Sequence, residues 1–179
     1  VDGNYNLSAR VGYGFEIIPS LNINFDISPR ISQNANRVNG IDNITKNKAM
    51  QYSINAGYWG DKAINFWFNG SANYNNSVTS IRPDVATKFW TYNAYGNLQL
   101  KFKKIKTYID MGIEANIYQK TAVFADQRNV YLVNTTIRKI ISKNDQWEAK
   151  IYVNDIFNQN LGINRNASSN FITESTNQT

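Results

Sequence analysis

Between Tyr5 and Ile17 the odd positions read Tyr5, Leu7, Ala9, Val11, Tyr13, Phe15 and Ile17, while the even positions read Asn6, Ser8, Arg10, Gly12, Gly14 and Glu16. Side chains of a β-strand point to opposite faces with a period of two, so this segment predicts a ribbon with one uncharged face. The same alternation recurs at 21–28, 50–58, 64–74, 90–102, 105–117 and 147–154. Another strand is expected over 129–140, with a less clean pattern because Val130 and Leu132 share a phase with Arg138. The strand charges Arg10, Asp26, Lys101, Lys106, Asp110, Glu114, Glu148 and Lys150 all fall in the polar phase, and the exceptions Lys139 and Asp155 lie at strand ends. A charge facing lipid at mid-bilayer costs roughly 2–4 kcal/mol and roughly 0–1 near the interface, so this distribution is the one expected of strands in a membrane.

The connections strengthen that expectation. Short ones fall at Pro19-Ser20, Gly60-Asp61-Lys62, Lys103-Lys104 and Ser142 to Gln146, and long ones at Arg30 to Lys48, Asn76 to Lys88, Gln119 to Arg128 and from Asn158 onward. Outer-membrane barrels alternate short periplasmic turns with long extracellular loops. Tyr58, Trp59, Phe66, Trp90, Phe102, Tyr118, Tyr131, Trp147 and Phe157 gather near strand ends, as in interfacial aromatic girdles. The expected fold is all-β: an antiparallel transmembrane β-barrel of about eight consecutive strands, with residues 1–179 forming a single segment.

Mean hydropathy does not distinguish this from a soluble protein. It is −0.48, with 42% hydrophobic residues. In a barrel half of each strand faces water or the lumen, so averages conceal the membrane and the phase reveals it. The net charge of +6 is spread over loops and turns, which argues against a nucleic-acid footprint. The chain has no cysteine and no histidine, which removes thiolate chemistry and the commonest general base and metal ligand. No catalytic residue, metal site or cofactor is expected.

If short turns are periplasmic, the first strand descends and the eighth ascends into the segment after Asn158, with no returning strand. Val1 is not an initiator methionine and no signal-peptide pattern opens the chain. The expectation is a mature or excised piece of a larger barrel, without a plug domain and without a final strand.

Val153-Asn154-Asp155-Ile156-Phe157-Asn158-Gln159-Asn160, followed by Gly162-Ile163-Asn164-Arg165, resembles the C-terminal barrel of TonB-dependent receptor-like proteins, in the outer membrane protein beta-barrel family. Leu132-Val133-Asn134 with the basic turn Lys139 to Asn144 is also similar. The likeness is motif-level over Asn129 to Thr179 and architectural before that. It implies a wall segment of a Gram-negative outer-membrane importer of about 22 strands, taking up a siderophore, oligosaccharide or peptide. Implied partners are outer-membrane lipid, the rest of the barrel and its plug, and a lipoprotein or other membrane protein, with TonB reached only through segments this chain lacks. The rival expectations are a self-contained small barrel with a structural or adhesion role, and a soluble β-sandwich that binds carbohydrate.

Trp67, Tyr95, Tyr108 and Tyr152 share the inward phase with many Asn and Gln, a combination suited to stacking on and hydrogen-bonding to a sugar, or to packing against a plug. Asp110 and Glu114 share that phase too, but four residues of strand separate them by about 13 Å. Glycosidase carboxylates stand about 5–9.5 Å apart, so with Lys106 they read as a charge ladder. Asn154, Asp155, Phe157 and Asn158 form the motif's strand end, with Asp155 and Asn158 expected to set a turn.

Overall fold

A computed structural model describes residues 3–60, 63–84, 86–119, 129–142, 144–159, 163–167 and 172–176. Among these the chain is all-β. The strands are β1 (Tyr5–Ser8), β2 (Val11–Ile18), β3 (Leu21–Val38), β4 (Ile41–Tyr58), β5 (Ile64–Thr79), β6 (Thr87–Phe102), β7 (Thr107–Tyr118), β8 (Val130–Ile140), β9 (Glu148–Val153), β10 (Ile163–Ala167) and β11 (Ile172–Thr176). The first nine form one antiparallel sheet that does not close, and β10 and β11 pair with each other. From β2 to β9 each strand pairs with its neighbours in sequence.

The first expected strand is split. Ser8 pairs with Arg30 and Val11 with Ile27, so β1 and β2 keep a single register against β3. The interruption falls opposite Pro29. Ala9 N donates to the Pro29 carbonyl at 3.1 Å, but proline has no N–H to return the bond. At the far end of β2, Pro19 and Ser20 (φ 73°) form a tight turn, with Ser20 N donating to Glu16 Oε1 at 2.7 Å.

The expected long connection Arg30 to Lys48 is corrected. β3 and β4 run for 18 residues each and meet at Asn39-Gly40, both at positive φ (52° and 82°). Asn-Gly at two left-handed positions is the type I′ combination, whose twist matches that of the flanking strands. The 3₁₀ turn Lys103–Ile105 and left-handed Lys106 (φ 50°) replace the expected start of the sixth strand at Ile105. Most of the expected loop Gln119 to Arg128, Asp61 and Lys62 of a short turn, and Asn160 and Gly162 of the family-like motif lie outside the described residues.

Register aligns the apolar phases into transverse rows. Ile64–Leu100–Ile109–Ile137–Ile151 is one, and Leu21–Tyr58–Phe66–Leu98–Met111–Thr135–Val153 is the next. Above them lie Ile23–Ala56–Phe68–Gly96–Ile113–Val133, then Phe25–Ile54–Gly70–Ala94–Ala115–Tyr131, then Ile27–Tyr52–Ala72–Tyr92–Ile117, then Pro29–Met50–Tyr74–Trp90. All six rows are uncharged. The row beyond one end is Ile31–Lys48–Asn76–Lys88, and the row beyond the other is Phe102–Thr107–Lys139–Ala149.

Burial is inverted relative to a soluble domain. Asp26, Asn43, Thr45, Asn65, Thr79 and Val130 are the buried strand residues among those described, and all six belong to the polar-phase face. The opposite face leaves Tyr13, Phe25, Ile27, Phe68, Tyr92, Ile113 and Ile151 exposed. The hydrophobic effect therefore builds no core between layers here. Hydrogen-bonded ladders and cross-strand pairs hold the sheet, each pair contributing roughly 0.2–1 kcal/mol.

Candidate functional site

The polar-phase face is also organised in rows. Gly14–Asn24–Asn55–Asn69–Tyr95–Glu114–Leu132 crosses the sheet, beside Glu16–Asn22–Gly57–Trp67–Asn97–Gly112–Asn134. Toward the short-turn end follow Asn65–Gln99–Asp110–Thr136–Tyr152 and Lys101–Tyr108–Arg138–Lys150. Trp67, Tyr95, Tyr108, Asp110, Glu114 and Tyr152 thus share one face over β5 to β9. Tyr95 sits directly opposite Glu114, Thr136 lies between Asp110 and Tyr152, and Trp67 stands in the row between those of Tyr95 and Asp110.

Side-chain hydrogen bonds run mostly along these rows. Gly60 N donates to Asn65 Oδ1 at 3.0 Å, Asn65 Nδ2 to Gln99 Oε1 at 3.4 Å, and Gln99 Nε2 to Asp110 Oδ1 at 2.8 Å. Asn69 Nδ2 donates to Asn55 Oδ1, and Asn116 Nδ2 to Glu114 Oε1 at 2.7 Å. These bonds hold side chains that have few apolar neighbours to pack them, and each pairs a donor with an acceptor that lies mostly out of water. Tyr152 OH lies 3.4 Å from Asn154 Oδ1.

The expected Lys106–Asp110–Glu114 ladder is corrected. Lys106 lies in the left-handed turn before β7, and its ammonium pairs with Asp145 at 2.5 Å. Asp110 takes Gln99 as its partner and Glu114 takes Asn116, so the two carboxylates belong to separate networks.

Gln99, Asp110, Thr136, Arg138, Glu148 and Lys150 line an open depression of about 380 Å³. Arg138 Nε lies 3.8 Å from Glu148 Oε2, and its guanidinium carbon stands 4.7 Å above the Tyr108 ring centroid. Sequence reasoning did not single out Arg138, Glu148 and Lys150 as site residues. Their signal is a row of cations, Lys101, Arg138 and Lys150, with Asp110 in the row on one side and Glu148 in the row on the other, which becomes visible only when β7, β8 and β9 are placed in register.

At the family-like strand end, β9 stops at Val153 and the chain turns. Asn134 Oδ1 accepts from Asp155 N at 2.9 Å, and Asp155 Oδ1 accepts from Gln159 N at 3.0 Å. Asp155 and Asn158 both have positive φ (47° and 51°), and Asn158 N donates to the Asp155 carbonyl at 2.9 Å. Asn154 and Phe157 are exposed beside them. Asp155 therefore acts on the backbone of its own turn.

No protein-family model, curated protein or solved structure matches the chain. The polar face is amide-rich and aromatic, and it is edged at one end by charged side chains. Its amides and rings are groups of the kind that hydrogen-bond to and stack on neutral polar molecules.

Proposed function

We propose that this chain is a section of the wall of an outer-membrane β-barrel, in an importer of the TonB-dependent type that takes up a siderophore, oligosaccharide or peptide. One observation carries the reading: among the described residues every buried strand residue lies on the polar face, while the opposite face is uncharged through six rows. Six rows span five steps of two residues, about 34 Å along the strands at roughly 3.4 Å per residue. Strands tilted by about 40° reduce that to about 26 Å of height, close to the roughly 25 Å apolar band of such barrels. Apolar patches of this extent on soluble monomers mark interaction surfaces, and lipid is the partner that suits a face without charges.

The open edges support a place within a larger ring. The outer sides of β1, β2 and β9 carry no ladder among the described residues. Unpaired N–H and C=O groups are intolerable in hydrocarbon, so neighbouring strands would complete these edges. The amide and aromatic rows then line the lumen, where a polar nutrient passes.

The test uses the full-length protein reconstituted in vesicles that contain brominated lipid. Variants retaining only Trp90 or only Trp67 report opposite faces. Strong quenching of Trp90 and weak quenching of Trp67 is the expected result. Equal quenching, or a folded monomer in plain buffer, would overturn the membrane reading. Import is tested separately: disruption of the gene and of the inner-membrane energiser should abolish growth on the same scarce nutrient, and unaffected growth on every such nutrient would remove the importer.

A further inference from the structure

Just above the uncharged band, three lysines project from the same face. Lys48 and Lys88 flank Asn76 in one row, and Lys46 lies two positions farther along β4. All three are exposed. Among the described residues none of the three ammonium groups makes a hydrogen bond or ion pair, although Arg37 and Asp42 on the same face hold each other at 2.7 Å. Asp42 is the only acidic residue of this face in β3 to β6, so the rim bears uncompensated positive charge.

The layer beneath the lysines is aromatic. Trp90 lies 6.3 Å from Tyr52, 5.2 Å from Tyr74 and 6.1 Å from Tyr92 between ring centroids. Amphipathic rings favour the level where acyl chains meet headgroups. Cations directly beyond that level meet the headgroups' own charges. Two strand spacings put the Lys48 and Lys88 backbones about 10 Å apart, and flexible four-carbon stems let their ammoniums converge on one group.

We infer that Lys46, Lys48 and Lys88 form a site on the outer wall for the phosphate groups of lipopolysaccharide, with Tyr52, Tyr74, Trp90 and Tyr92 packing against its acyl chains and sugar. The inference rests on the membrane reading above. It adds a specific lipid at a specific height. The rim lies at the end of the sheet that carries the extended β3–β4 hairpin, and at the other end Lys139 is the only cation of this face among the described strand residues and donates to the Ile105 carbonyl. Among the described strand residues the two ends of the band therefore carry unequal numbers of cations on this face.

The test reconstitutes the full-length protein in phosphatidylcholine nanodiscs doped with bisphosphorylated lipid A, with its dephosphorylated form, or with phosphatidylglycerol at equal charge. Lipid retained after detergent exchange is quantified by mass spectrometry. Selective retention of bisphosphorylated lipid A is expected, weakened about fivefold by each of K46Q, K48Q and K88Q and preserved by the arginine variants. K104Q, in a turn at the other end, should leave retention unchanged. Raising the salt concentration should weaken retention in parallel, because the contacts are exposed. Equal retention of the dephosphorylated lipid or of phosphatidylglycerol, or an undiminished triple glutamine variant, overturns the site while Trp90 quenching still reports an inserted wall. Loss of Trp90 quenching in the unaltered protein overturns both.

Discussion

Arg10 reaches Asp26 across the β2–β3 ladder, Nε to Oδ1 at 2.9 Å, over the space left by Gly12. Gly12 stands directly opposite Asp26, and a methyl group there would lie 2.4 Å from Asp26 Oδ1. The glycine thus allows the carboxylate to lean toward the guanidinium. Arg10→Ala and Gly12→Ala are each expected to lower the unfolding midpoint. The double variant should lose little more than either single one, because both remove the same contact. Additive losses in denaturant titrations would separate Gly12 from the ion pair.

Ile54 occupies the middle of the uncharged band, opposite Phe25 and Gly70. Ile54→Lys should cost about 2–4 kcal/mol of folding free energy in vesicles. Asn55→Lys, one residue away on the other face, should lose no more than the hydrogen bond to Asn69, about 1 kcal/mol. Urea titration of folding into lipid vesicles measures both, and a reversed order would exchange the two faces.

Asn39 and Gly40 hold the tip of the β3–β4 hairpin at positive φ. Gly40→Val places a β-branched residue in the left-handed region and should cost about 1–3 kcal/mol locally. Amide exchange should accelerate across residues 36–43 and remain unchanged at Ile54. Uniform acceleration would show that the hairpin tip is coupled to the whole sheet.

Pro29 interrupts the ladder between β1 and β2. Pro29→Ala supplies the missing N–H, worth about 1 kcal/mol, and gives back roughly the same in unfolded-chain entropy. Net stability should hardly change, while the new amide at position 29 becomes protected from exchange. Rapid exchange there would assign the interruption to Ala9 and Arg10 themselves.

The strand bodies and their phases are legible in the sequence because each alternates for long enough to declare a period. The extensions of β3 and β4 are less so. From Arg30 to Lys48 the residues are mostly Asn, Lys, Arg and Ser, so no apolar alternation marks a strand. The Asn-Gly turn and the existing ladder carry the pairing onward instead. The phase of Lys106 predicts a strand position, yet Lys106 closes the turn over Lys103–Ile105 and keeps only its carbonyl in line with the β7–β8 ladder, accepting from Ile140 N at 3.0 Å. The Arg138 cluster was hidden for a different reason: which residues face each other depends on turn lengths, and no single strand encodes them.

From β2 to β9 each strand lies beside the one that precedes it in the chain. Contacts of that kind form without closing long loops, so each hairpin can zip onto the last one already in place. The same arrangement makes the sheet modular: adding or removing one hairpin at an edge changes its width while the remaining ladders keep their partners.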